Sequence, residues 1–103
     1  MGNVRVKVHN AYRKVVAVSD PELLGKKFVK DDFQIDVSRE FYGGDVMDEG
    51  KALEIIKIEN ADDSTFLFVG KNSVDAGIKA GIISNSKKSI IRIQGVPHAL
   101  ALL

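Results

Sequence analysis

The chain has 103 residues and no cysteine, so one domain spanning 1–103 is expected, and a disulfide framework or thiolate metal site is excluded. With only His9 and His98 to supply imidazole, no metal site and no cofactor are expected. No stretch approaches the roughly 20 apolar residues of a membrane span and "MGNVRVKVHN" has no signal-peptide core, so a cytoplasmic protein without a membrane partner is expected.

In "NVRVKVH", Val4, Val6 and Val8 alternate with Arg5, Lys7 and His9, the period of a half-buried strand. "NAY" reads as a turn and "RKVVAVS" as the partner strand, which makes 3–18 a hairpin with Arg5, Lys7 and Lys14 toward solvent. "SDPELLGKKF" predicts a helical turn, with Ser19 or Asp20 as cap, Pro21 at its first position and Gly25 as a left-handed stop. "FQIDVS" alternates again, placing Phe33, Ile35 and Val37 on one face of a strand. After "FYGG" (41–44), "DVMDEGKALEIIKIE" fits a helix with Asp45 and Asp48 near its start and a stripe of Ala52, Leu53 and Ile56. "STFLFVG" is apolar on both faces and reads as a buried strand. "KNSVDAGIKAGI" follows as a helix with Asn72 or Ser73 as cap and Gly81 as stop. "KSIIRIQG" gives another strand and "HALALL" a short terminal one. The fold class is therefore α+β (mixed α/β): a mixed β-sheet with an N-terminal hairpin, packed against two helices, in which 66–93 forms a βαβ unit.

Charge is uneven along this order. Eleven of the fourteen acidic residues lie in 31–63, between two basic segments. Such asymmetry marks either a nucleic-acid-binding face or ordinary solvated faces of a neutral protein.

Three stretches are candidates for chemistry. Gly70 in "VGKNS" can open a helix N-terminus toward an anion, but the phosphate-loop pattern is missing and an ordinary strand-to-helix turn is the better reading. In "FYGG", extended backbone would bury Phe41 and leave Tyr42 near solvent, beside the accessible amides of Gly43 and Gly44; this suits either a turn with a core anchor or a platform for stacking a base. In "GVPHA" (95–99), Pro97 holds His98 in a fixed direction, through a cis bond or otherwise, as a proton shuttle or as a structural hydrogen-bonder. Spacing supports neither a catalytic triad nor an acid–base carboxylate pair.

These stretches together are similar, over most of the chain, to a small archaeal family known as a domain of unknown function, family four-two-four. The resemblance implies an archaeal protein of this length with no assigned activity and a housekeeping role in information processing. The family's recurrent residues fall on Glu22, Leu24, Gly25, Phe41, Tyr42, Gly43, Gly44, Gly70, Gly95, Pro97 and His98. Leu100 departs from it, standing where the family usually has a polar residue.

The expectation is a non-catalytic binding module with RNA or a ribosome- or translation-associated protein as partner. Tyr42, Gly43, Gly44, Gly95, Pro97, His98 and Glu22 form its site, and Arg5, Lys7 and Lys14 the electrostatic approach. Two alternatives stand beside it: a small-molecule or nucleotide enzyme with His98 as general acid or base, and a protein-interaction subunit offering "ALALL" as an edge strand. If one site is correct, 41–44 and 95–98 lie side by side, with His98 partly exposed and held by a carbonyl or by Glu22.

Overall fold

In chain order the strands are β1 (Val4–His9), β2 (Val15–Ser19), β3 (Lys27–Lys30), β4 (Phe33–Asp36), β5 (Asp45–Met47), β6 (Thr65–Val69), β7 (Ile90–Ile93) and β8 (Val96–Ala101). The helices are α1 (Arg39–Tyr42), α2 (Glu49–Ala61) and α3 (Lys71–Lys79), with a 3₁₀ turn at Pro21–Leu23. This computed structural model describes residues 2–10, 12–84 and 89–101, with Phe33 described by its backbone alone.

Six strands form one mixed sheet in the order β5-β1-β2-β6-β8-β7, and β3 and β4 form a separate two-stranded ribbon. The expected hairpin is present, with Val6 opposite Val18 and Val8 opposite Val16. β2 runs parallel to β6, while β8 is antiparallel to both β6 and β7. β6 and β7 are therefore parallel, as a βαβ unit over 66–93 requires, but β8 is inserted between them.

Strand alternation sends side chains to both faces of the sheet, and each face is covered. On one side Val4, Val6, Val16, Val18, Phe66 and Phe68 pack with Ala52 and Ile56 of α2 and with Val74 and Ala76 of α3. On the other, Ala17, Val69 and Ile93 pack with Leu23, Phe28, Val37 and Tyr42, contributed by the 3₁₀ turn, the ribbon and α1. Full burial of Phe66, Phe68 and Ile56 contributes about 1.5–3 kcal/mol for each side chain. Among the described residues no helix is long and apolar enough to cross a membrane.

Several elements differ from the sequence reading. β3 was not expected, because the lysines of "KKFVK" mask its one buried residue, Phe28. "FY" is helical rather than extended: Ser38 caps α1 by accepting from the Phe41 N–H (3.2 Å). α2 starts later than expected, since Asp45–Met47 pairs with β1 and Asp48 is the cap, accepting from the Lys51 N–H (2.8 Å). The fourth concerns capping. Neither Asn72 nor Ser73 caps α3; Gly70 holds the cap position, and the acceptor comes from fifty residues upstream.

That acceptor is Asp20, 3% exposed. Its carboxylate accepts from the N–H of Asn72 (3.1 Å), the N–H of Ser73 (2.8 Å) and Ser73 Oγ (2.8 Å). Gly70 has φ of +108°, and a Cβ there would overlap the same carboxylate. The helix N-terminus attracts an anion, and the chain supplies its own. The turn reading of "VGKNS" stands, and the anion reading does not.

Candidate functional site

The FYGG segment is placed by the polar face of β1. Residues 5, 7 and 9 stand on one side of that strand, directly under the end of α1, whose last carbonyls have no partner within the helix. Lys7 Nζ donates to the Glu40 carbonyl (2.7 Å), His9 Nε2 to the Phe41 carbonyl (2.8 Å) and Arg5 Nη1 to the Gly44 carbonyl (2.9 Å). The His9 ring also stacks on Phe41, with centroids 4.6 Å apart and planes 17° from parallel. Lys14, the third residue of the expected electrostatic approach, is paired with Asp62 (2.7 Å) and Glu59 (3.4 Å). Arg5, Lys7 and Lys14 thus fasten one part of the chain to another, a correction to the reading that they form a free basic face.

The two glycines also have a structural reason. A Cβ on Gly44 would overlap the Val6 carbonyl oxygen, and one on Gly43 the Arg39 carbonyl oxygen. They permit close backbone approach where α1 gives way to the edge strand β5.

The aromatic pair is reversed relative to expectation. Tyr42 is 4% exposed and Phe41 half-buried. Successive residues of a helix lie only about 100° apart, so both rings turn inward and meet edge to face at 5.0 Å. Burial pushes the Tyr42 hydroxyl up to about 12. A residue so enclosed is not the exposed stacking platform that extended backbone would give.

"GVPHA" forms β8 and the turn before it. Gln94 and Gly95, at φ of +52° and +80°, make a two-residue turn between the paired Ile93 and Val96. No cis peptide bond occurs among the described residues. The Pro97 carbonyl accepts from the Gly70 N–H (2.9 Å), and strand alternation turns the Pro97 side chain away from that of His98. β8 is an interior strand across 96–99, while Leu100 and Ala101 of "ALALL" pair with β6 alone and are an edge among the described residues; Leu102 and Leu103 lie outside the described residues.

His98 is the unusual residue. It stands between Val69 of β6 and Ile91 of β7, with the Phe28 ring edge-on at 5.3 Å. It is 5% exposed, and neither Nδ1 nor Nε2 has a hydrogen-bond partner. The expectation that it would be partly exposed and held by a carbonyl or by Glu22 is corrected: Glu22 is exposed, and the imidazole neighbours are apolar. Desolvation holds its conjugate acid below the ordinary histidine range.

His98 forms part of the wall of a groove of about 790 Å³ that also meets Phe41 and Tyr42. The groove exists because β7 is shorter than β8. Their pairing ends at Ile90 opposite Ala99, so Leu100 and Ala101 have no outer strand neighbour among the described residues. Apolar side chains dominate its walls, including Ile35, Leu67, Val69 and Ile93, and the half-exposed Ile91 and Leu100 mark its mouth. Gln34, Asp36 and Ser84 line it from exposed positions.

Of the expected site, the fold brings Tyr42 and His98 to one groove despite the intervening sequence. Gly43, Gly44, Gly95, Pro97 and Glu22 do not line it. Ile91, Leu67 and Leu100 were missed. The signal for them was "QG" between alternating apolar runs, which predicts a hairpin and sets Ile91 opposite His98. Among the described residues, no three His, Asp or Glu side chains gather as a metal site.

The fold is similar to that of a solved protein, described as "Crystal structure of an uncharacterized conserved protein from Methanopyrus kandleri". The TM-score is 0.80 at 23% identity, over 96% of this chain and 90% of that one. Comparison with curated protein sequences gives no match. Residues 8–102 match the sequence model of the family described as "Protein of unknown function (DUF424)", and the chain belongs to that family.

Proposed function

We propose that this protein is a small non-catalytic binding module whose ligand occupies the groove beside Tyr42 and His98. The observation that carries the reading is the buried imidazole with both nitrogens unpartnered, in the wall of a groove large enough for a small molecule. An unsatisfied buried polar group costs about 1–3 kcal/mol. A ligand that bonds it recovers part of that cost. Catalysis is less well supported, because a general acid or base is ordinarily oriented by a second group, and His98 has none. The test is a fragment screen followed by amide and methyl NMR. Hits should shift Phe41, Leu67, Ile91 and His98 together; hits that leave all four unmoved refute the reading.

One observation favours a second reading, in which RNA is the partner. Tyr12 is fully exposed at the tip of the β1–β2 hairpin, next to the exposed Arg13. An exposed ring beside a cation stacks single-stranded bases, and phosphate contacts give a log–log salt slope of about −0.7 each. Tyr12→Ala should then weaken binding to a uridine oligomer while His98→Leu leaves it unchanged. No binding, or binding flat in salt, removes this reading.

A further inference from the structure

We propose that the groove takes an uncharged, predominantly apolar small molecule with a hydrogen-bonding group that meets His98. This rests on the groove being the binding site and adds the chemistry of what it accepts.

The walls decide against charge. No Lys or Arg lines the groove among the described residues, and the charged group that does is Asp36, at the rim. A phosphate or carboxylate entering would lose its water against Ile35, Leu67 and Ile91 with no counter-charge from the described residues, and would meet the Asp36 carboxylate at the entrance. The polar side chains of Gln34, Asp36 and Ser84 are exposed and served by solvent, and Ser89 is half-buried. Further in, His98 is the lining residue whose buried polar atoms lack partners. The depth therefore offers few polar positions within apolar surface, the His98 ring and the Tyr42 hydroxyl among them, and a predominantly apolar ligand with few polar groups matches it.

The imidazole is also adaptable. Kept neutral by its surroundings, it carries one N–H donor and one lone-pair acceptor. Because no neighbour fixes either nitrogen, the proton can occupy whichever atom leaves the other complementary to the ligand. Nothing in that arrangement demands a donor over an acceptor from the ligand; it demands one of them.

Three probes built on one ring system test this by methyl NMR titration: indole, 1-methylindole and indole-3-acetate. Indole should shift the methyls of Leu67, Ile91 and Leu100. Indole-3-acetate should bind those positions at least about tenfold more weakly, and 1-methylindole about tenfold more weakly, near the worth of one hydrogen bond. In His98→Leu, indole and 1-methylindole should bind alike. Indole-3-acetate binding as tightly as indole overturns the uncharged class while the groove remains the site. Equal binding of indole and 1-methylindole to the unaltered protein overturns the part given to His98. Methyls unmoved by all three probes overturn the groove as a site, and the inference with it.

Discussion

Replacing His98 by leucine should make this protein more stable, an outcome opposite to that of most buried substitutions. Leucine is close in size to histidine, and its neighbours would be Val69, Ile91 and Phe28, all apolar. The substitution removes two ring nitrogens that have no hydrogen-bond partner in the fold but are hydrated in the unfolded chain. Relief of that desolvation is worth about 1–3 kcal/mol. For a domain of this size each kcal/mol moves Tm by about 4–8 °C. The gain should also depend on pH in a defined direction. Since burial lowers the folded-state value of His98, the unfolded chain holds the extra proton below about pH 6.5. His98 therefore contributes a loss of stability as pH falls from 6.5 toward the folded value, with a limiting slope of about 1.4 kcal/mol per pH unit, and no slope above it. Urea unfolding of both proteins between pH 5 and about 8 measures this. The variant's advantage should be present at neutral pH and widen on acidification. A variant less stable than the parent, with the difference constant across pH, would refute the reasoning and make His98 a structural clip.

Asp20→Ala should lower stability by about 2–4 kcal/mol in urea unfolding, because it strips an acceptor from two N–H groups and a buried hydroxyl at the start of α3. Gly44→Ala should cost about 1–3 kcal/mol by forcing the backbone away from the Val6 carbonyl, and a neutral effect would contradict the close approach. His9→Ala removes both a hydrogen bond to the Phe41 carbonyl and a stacked ring, so a loss of about 1–2 kcal/mol is expected, together with shifted Phe41 ring resonances.

The sheet was legible because its strands carry strong local signals. "VRVKVH" alternates, "TFLFV" is apolar on both faces, and Gly25 and Gly81 stop their elements at φ of +88° and +78°. What could not be read were features that depend on partners distant in sequence. Asp20 reads as the cap of its own turn, yet its carboxylate lies against residues 72 and 73, a pairing made by the β2–β6 register. Arg5 and Lys7 read as solvent-facing because the valines take the opposite face; their facing side is instead covered by α1, a four-residue helix too short to have a period. The same reason hid the Tyr42 environment, since a single helical turn in place of a strand exchanges which neighbour is enclosed. His98 was found as a residue and misjudged in its surroundings, because β3 and the groove left by a short β7 have no local signature.

The most direct test of the groove as a ligand site is the nitrogen NMR spectrum of the His98 ring, recorded at neutral pH with and without indole. The free protein should show a neutral ring, and saturation with indole should shift one of its two nitrogens while the ring of His9, held by the Phe41 carbonyl, stays where it was. A His98 ring that is already protonated in the free protein, or whose nitrogens do not respond while the groove methyls do, contradicts the account.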